Sequence, residues 1–287
     1  MKRQQVIINA DDFGRSAEIN EAIIRAHREG VLTSCSLMVS GAAFEQAVRL
    51  ARENPRLGVG IHLVTVVGRS VLPHSEIPSL VDEQGNFSND PNLAGMKYYF
   101  SPQARLEIRK ELAAQFARFA ETGLPFSHID GHLHLHVHPV IFKTALQLGR
   151  QYNVKRMRVP TEELGLALGF DKRYRLRKLL HKVMFGALGA YMKRHLKRSG
   201  FEFAERVYGN LQSGAMTEDY FLYALENLQA ATNEIYFHPA LYTENRSLTE
   251  EEQQALTEYR ALISRRVVAR AQNANFKLIT YFDLETA

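Results

Sequence analysis

Two adjacent carboxylates, Asp11 and Asp12, end the first predicted strand, two residues separating them from the apolar run Val6-Ile7-Ile8. Like charges this close are costly unless a cation sits beside them. A metal ion would serve, one carboxylate ligating while the other acts as general base toward water. Asp-Asp-Phe-Gly is equally sound turn chemistry ahead of a helix, so the pair alone does not decide. The segment Ser127 to Pro139 says more, because histidine or aspartate occupies every even position from His128 to His138. Alternate residues of an extended chain share a face, so these side chains would line one face until the strand yields to a loop past Gly131. Imidazole and carboxylate together suit zinc, iron, nickel or manganese. The core Asp130-x-His132-x-His134, placed at a strand end, favours a metal site over a solvated histidine-rich loop. Spacing leaves open which of the five histidines ligates.

Three further residues are notable only in company. His62 lies late in Gly58–Leu63, His238 ends Ile235-Tyr236-Phe237-His238, and Arg158 sits in Met157-Arg158-Val159. A histidine at a strand end is a natural general acid for a leaving amine. An arginine there can hold a carboxylate by charge-assisted hydrogen bonds. Each alone is as well explained by a structural role. As a set, Asp11/Asp12, His62, Asp130/His132 and His238 mark four strand ends, the distribution expected of a site at the C-terminal mouth of a barrel.

The elements that must position these residues alternate between strand and helix. Ser16 caps and Gly30 ends a helix carrying Ile19, Ala22, Ile23 and Ala26 on one face. Val31–Val39 reads as a strand, followed by a helix around Phe44–Ala51 and a strand at Gly58–Leu63. Residues 68–100 read as a long irregular excursion broken by Pro73, Pro78 and Pro91. A helix from Pro102 to Glu121, strands at Phe126–Asp130, Arg156–Val159 and Glu234–Phe237, a helix over Tyr220–Leu228, a long helix Thr249–Ala271 and a last strand Phe276–Tyr281 complete the pattern. Such alternation predicts an α/β fold: a deformed (β/α) barrel of roughly seven parallel strands, one domain over 1–287, with an open doubly wound sheet as the alternative.

Composition narrows the function. The 287 residues suffice for a large core. A single cysteine, Cys35, excludes an intrachain disulfide and a cysteine-based zinc site. No apolar run is long enough to span a bilayer, and the N-terminus lacks the apolar core of a signal peptide; both favour the cytoplasm. The formal charge of +5 is concentrated between Lys172 and Arg198, a stretch without a single acid. That points to a local anionic partner, and no nucleic-acid recognition motif accompanies it.

At these residues the sequence resembles the YdjC/ChbG family of carbohydrate deacetylases. The resemblance rests on Val6-Ile7-Ile8-Asn9-Ala10-Asp11-Asp12-Phe13-Gly14, Gly60-Ile61-His62-Leu63, His128-x-Asp130-Gly131-His132-x-His134 and His238-Pro239, and it spans nearly the whole chain. Within the family the chain is most similar to the hopanoid-biosynthesis branch, HpnK, through Thr33–Val39, Val71-Leu72-Pro73, Glu76-Ile77-Pro78 and Tyr236–Ala240. Many members have glycine where this chain has Ala240. The resemblance implies one divalent metal held by Asp12, His62 and His132, zinc first, with magnesium or nickel as alternatives. It implies Asp11 as general base and His238 as general acid, with Arg158, Asp130 and His134 supporting; His134 remains a rival to His132. The implied reaction releases acetate and a free amino sugar.

The basic segment 172–198 also carries an apolar stripe: Leu176, Leu179, Leu180, Val183, Met184, Leu188 and Tyr191. It reads either as an interfacial helix on an anionic membrane or as a core-facing helix with a solvated basic back. With the resemblance, it implies a lipid-linked acetylated amino sugar taken at the inner face of the membrane by this segment together with the 68–100 excursion. The competing functions are a deacetylase of soluble chito-oligosaccharides and a non-enzymatic metal- or lipid-binding protein. Homodimerisation is compatible with either.

Overall fold

The computed structural model describes residues 3–242, 247–273 and 275–284; Met1 and Lys2 of the basic N-terminal stretch lie outside them. The frame is β1 (Gln4–Phe13), β2 (Ser34–Leu37), β3 (Gly58–Leu63), β4 (Ile129–Gly131), β5 (Arg206–Tyr208), β6 (Thr232–Phe237) and β7 (Phe276–Leu278). All pair in parallel, in the order β4-β3-β2-β1-β6-β5, with β7 alongside the start of β1. The gap between β4 and β5 is bridged by the stretch 155–161. Arg158 N–H donates to Ile129 O, Met157 N–H to Glu202 O, and Val207 N–H to Thr161 O. The ring of a deformed barrel is thereby completed, in accord with the expected architecture. The expected strand at Arg156–Val159 occupies its place but makes only isolated bridges, Met157 to Ile129 on one side and Arg156 to Glu202 on the other.

Outside the ring lie α1 (Ala17–Glu29), α2 (Phe44–Glu53), α3 (Pro91–Phe100), α4 (Pro102–Glu121), α5 (Pro139–Gln151), α6 (Leu164–Phe170), α7 (Arg175–Arg198), α8 (Glu218–Asn227), α9 (Glu250–Leu262) and α10 (Arg265–Gln272). The Ser16 hydroxyl accepts from Ile19 N–H, capping α1. Alternation sorts β1: Val6, Ile8 and Ala10 join the large apolar core, while Ile7 packs with Ile279, Tyr281 and Leu284. Asn9 and Asp11 share Ile7's face, farther along the strand.

Several boundaries differ from expectation. The strand expected over Val31–Val39 is four residues long, because Gly41 and Ala43 fold back onto Met38 and Gly14. The expected helix Thr249–Ala271 breaks after Leu262, where the Ser264 hydroxyl caps α10. The excursion 68–100 is more ordered than its prolines suggest: it contains α3, and buried acids of α4 hold its backbone. Glu111 accepts from Val71 N–H and Leu72 N–H at 2.9 and 3.0 Å, and Glu107 from Ser79 N–H at 2.8 Å. Three-residue β5 and helix α5 were not legible beforehand. The core-facing alternative for the basic helix fails for its first half: Leu176, Leu179, Leu180, Val183 and Met184 of α7 are all exposed.

Candidate metal centre and active site

Parallel register sets the first pair. His62 on β3 stands opposite Asp130 on β4, and His62 Nδ1 lies 2.8 Å from Asp130 Oδ1. The other nitrogen, Nε2, is buried without a hydrogen-bond partner and faces Asp12 Oδ1 at 3.2 Å. His132 Nδ1 reaches the same oxygen at 2.9 Å. Asp12, His62 and His132 thus present three ligand atoms within 4.8 Å of one another, all on buried residues. A carboxylate behind one imidazole, with the opposite nitrogen left over, is the arrangement that orients histidines in metal sites. The donor set fits a divalent ion of the zinc type.

Electrostatics support the same reading. Burial disfavours a charged His62, yet Asp130 and Asp12 outweigh it and hold the imidazole up to about 10. The surrounding carboxylates therefore favour positive charge at this position. Asp12 is held well below the carboxylate range: burial opposes this, but His132 and His62 prevail. Asp12 adopts a left-handed backbone, φ +66°, which turns its side chain away from the path of β1. Arg15 secures its second oxygen at 2.9 Å.

Beneath this layer lies a buried ionic knot. Arg158, fully enclosed, donates two hydrogen bonds of 2.7 Å to the two oxygens of Asp11. It also binds Glu234 at 2.7 Å and stands 2.9 Å from Asp130. Asp11 Oδ1 accepts from Asn9 as well, at 2.9 Å, and Ser36 donates to Asp130 at 2.8 Å. Burial raises the Asp11 pKa, but Arg158 overrides it and sets it at about 2. A second group of potential ligand atoms, Asp11, His62 and Asp130, already has its cation in Arg158. Gly60 makes room for this packing, since a Cβ there would lie 2.4 Å from the His128 ring.

The histidine segment departs from the extended pattern. β4 ends at Gly131, and His132–Val137 form a 3₁₀ turn in which Leu133 and His134 are both left-handed. Its histidines consequently diverge. His132 meets Asp12, His134 Nε2 lies 2.9 Å from the Tyr236 hydroxyl, and His136 Nε2 lies 3.1 Å from Arg158 O. His138 packs edge-on against Tyr98 and Tyr99. Burial and the nearby Arg158 press the His134 pKa well below its ordinary value, keeping it neutral. Two left-handed non-glycine residues in succession are strained, and such strain concentrates at functional sites.

A cavity of about 760 Å³ opens over the knot, with Asp11, His134, Tyr236 and His238 in its wall. His238 follows β6 and is 41% exposed; its backbone N–H donates to buried Glu258 at 2.5 Å, and its Nδ1 lies 4.0 Å from the same oxygen. The structure thus gathers Asp11, Asp12, His62, Asp130, His132 and Arg158 at one end of the barrel, with His134 and His238 along the cavity. Reasoning from sequence missed Glu234, Ser36, Asn9, Tyr236 and Glu258. Polar residues embedded in short apolar strands, as in Ser34-Cys35-Ser36-Leu37 and Glu234-Ile235-Tyr236-Phe237, were the available signal.

The model of the YdjC-like protein family matches residues 5–273. The chain belongs to this family. This YdjC-like chain is 47% identical over 150 residues to a carbohydrate deacetylase of Brevibacillus brevis, covering 52% of the chain and 57% of that protein. It is 44% identical over 149 residues to a carbohydrate deacetylase of Geobacillus stearothermophilus, with the same coverages. The alignments thus span just over half the length of these curated relatives. A crystal structure from Enterococcus faecalis V583, of a candidate cellobiose-phosphate cleavage protein, superposes with a TM-score of 0.75 over 98% of both chains at 24% identity, which speaks to the fold.

Proposed function

We propose that the chain is a metal-dependent carbohydrate N-deacetylase acting on an N-acetylglucosamine-type sugar. The observation that carries this reading is the buried Asp12–His62–His132 set beside an Arg158-clamped Asp11 at the floor of the cavity. The names of the relatives point the same way. Asp12, His62 and His132 would hold the ion, zinc in our reading. Such an ion supplies Lewis-acid polarisation of the amide carbonyl and acidifies the attacking water.

The chain's own groups do the rest. Asp11, kept ionised by Arg158, accepts the proton from water; the two-point clamp fixes the direction of its free lone pairs. Asp130 orients His62. His238, at the cavity wall and backed by Glu258, donates a proton to the departing amine. His134, bonded to Tyr236, shapes the sugar pocket rather than the metal set.

The finer proposal follows the resemblance to the hopanoid-biosynthesis branch: the sugar is carried on a hopanoid-type lipid, and the chain works in the cytoplasm, peripherally at the inner face of the membrane through 172–198. Among the described residues no helix is long and apolar enough to cross a membrane. The test is acetate release from an N-acetylglucosaminyl lipid and from free chito-oligosaccharides, with chelator and with zinc restored. Zinc-dependent release confined to the lipid substrate is expected. Release from the oligosaccharides alone would transfer the activity to soluble sugars, and no release from either, with metal bound, would reject the enzyme reading.

A further inference from the structure

The cavity has a second character above its polar floor. One wall is α3, through Gly95 and Met96; the opposite wall is α7, through His181, Met184, Phe185 and Leu188. The turn 132–137 touches both helices, so the three form one continuous rim. Among the described residues, eleven of the fourteen exposed large apolar side chains lie on this rim. They are Leu93, Met96, Tyr99 and Phe100 on α3, Leu133 on the turn, and Leu176, Leu179, Leu180, Val183 and Met184 on α7, with Tyr174 at its cap; Met96, Leu133 and Met184 line the cavity, and the others extend the apolar surface outward from it. Phe100 is 71% and Val183 64% exposed. Exposed apolar side chains concentrated on two helices that share contacts with one turn mark an interaction surface.

The charges on the rim select the partner. Lys97 is the only charged residue within α3, which Asp90 caps, and α7 contains no acid; Arg173 pairs with Asp171 at 3.0 Å, while Lys172, Arg175 and Arg177 are exposed around the start of α7, so cations outnumber acids on this surface. A symmetric dimer through this patch would oppose like cations, because an isologous interface brings a surface onto itself. Anionic headgroups complement it, while the apolar side chains between the cations reach below them.

We propose that α3, the 132–137 turn and α7 together form a membrane-docking rim, which seats the mouth of the cavity directly against an anionic bilayer. This deepens the reading of 172–198 as a membrane contact and rests on it. What it adds is α3 as an independent second contact, which makes the cavity, and not merely a basic helix, the part that faces lipid.

The test is sedimentation of the full chain with phosphatidylcholine vesicles with or without phosphatidylglycerol, read without substrate. The chain is expected to bind the phosphatidylglycerol vesicles and not those of phosphatidylcholine alone. A Leu93→Ser/Phe100→Ser variant and a Leu180→Ser/Val183→Ser variant, both altered only at exposed positions, should each weaken binding by about tenfold or more, since each removes two inserting side chains. Circular dichroism would confirm that both remain folded. If the α3 variant binds like the unaltered chain, the rim is wrong and 172–198 acts alone. If Lys172→Gln/Arg175→Gln leaves binding unchanged, the basic-segment reading itself falls. If no vesicle binds and the unaltered chain forms a dimer that the apolar variants dissociate, a second copy covers the rim and the proposal is overturned. Failure of acetate release would not alter vesicle binding, so the two readings fail separately.

Discussion

The floor and the rim of the same cavity are built on opposite rules. At the floor and just beneath it buried charges answer one another: Arg158 touches Asp11, Asp130 and Glu234, and His62 and His132 converge on Asp12. At the rim the large apolar side chains are exposed, and Lys172, Arg175 and Arg177 are exposed among them. A buried network can hold an atom within a fraction of an ångström, which chemistry requires. An exposed apolar rim positions nothing by itself; its free energy becomes available only when another surface covers it. On the proposed function, precision is built where bonds would be broken and adhesiveness where a partner would be met. Perturbing the two regions should therefore give opposite signatures.

The largest effect is expected at Arg158. Arg158→Met leaves three buried carboxylates without their cation, and removal of one partner from such a network costs roughly 3–5 kcal/mol. Chemical denaturation should show that loss together with abolished acetate release. Arg158→Lys should rescue little, since an ammonium cannot reproduce the two parallel bonds to Asp11. A variant with unaltered stability would dissolve the contrast between floor and rim.

Next comes Asp11→Asn, a variant of the same size that removes the proposed base and one of the two acceptors facing Arg158. Turnover should fall by about a thousandfold, or about 4 kcal/mol in the barrier, while metal content by elemental analysis stays at the level of the unaltered chain. His132→Ala should instead lose the metal, whereas His134→Ala should retain it. A retained metal in His132→Ala would transfer the ligand role away from the Asp12 cluster.

How far these residues could be read from sequence depends on how local their causes are. The strand-end rule located Asp11, Asp12, His62 and Asp130, because short apolar runs followed by reactive residues are a one-dimensional signal. The fates of His134 and His136 were not legible. They depend on two left-handed residues, Leu133 and His134, neither a glycine that would announce the turn. Glu234 and Glu258 were invisible as site residues because their partners lie far along the chain: Arg158 for the first, and His238 for the second. The barrel was legible from alternation, but its closure at 155–161 rests on single bridges that no periodicity encodes.

A pH measurement sharpens the comparison on another buried acid, Glu162, outside the metal cluster. Glu162 is held up to about 7 from 4.5, because burial outweighs its bonds from the 209–211 backbone and Tyr220. Its carboxyl accepts from Leu211 N–H at 2.8 Å and so braces the cavity wall that contains Asn210 and Leu211. With the folded pKa raised above the unfolded value, its stabilising contribution is complete below about pH 4.5 and is lost as pH rises through about 7. The full swing is about 3 kcal/mol. Unfolding titrations between these values should show the decline, and Glu162→Gln should flatten it; an unchanged slope in that variant would assign it to other groups.

The smallest effect is expected at the rim. Leu180 is 63% exposed, so Leu180→Ser removes little area that folding had withdrawn from water. Substitutions away from buried features usually change stability by no more than about 0.5 kcal/mol. The same chemical change at a core position such as Leu112, fully buried in α4, would leave both a cavity and an unpaired hydroxyl and should cost roughly 3 kcal/mol or more. Thermal melts of the two variants in the absence of lipid provide the check. Near-identity of Leu180→Ser with the unaltered chain would mean that folding gains nothing from the rim, leaving its exposed leucines to be explained by what they meet. A loss approaching that of Leu112→Ser would mean that α7 packs in solution far more closely than its exposure indicates, and the contrast between a braced floor and an adhesive rim would collapse.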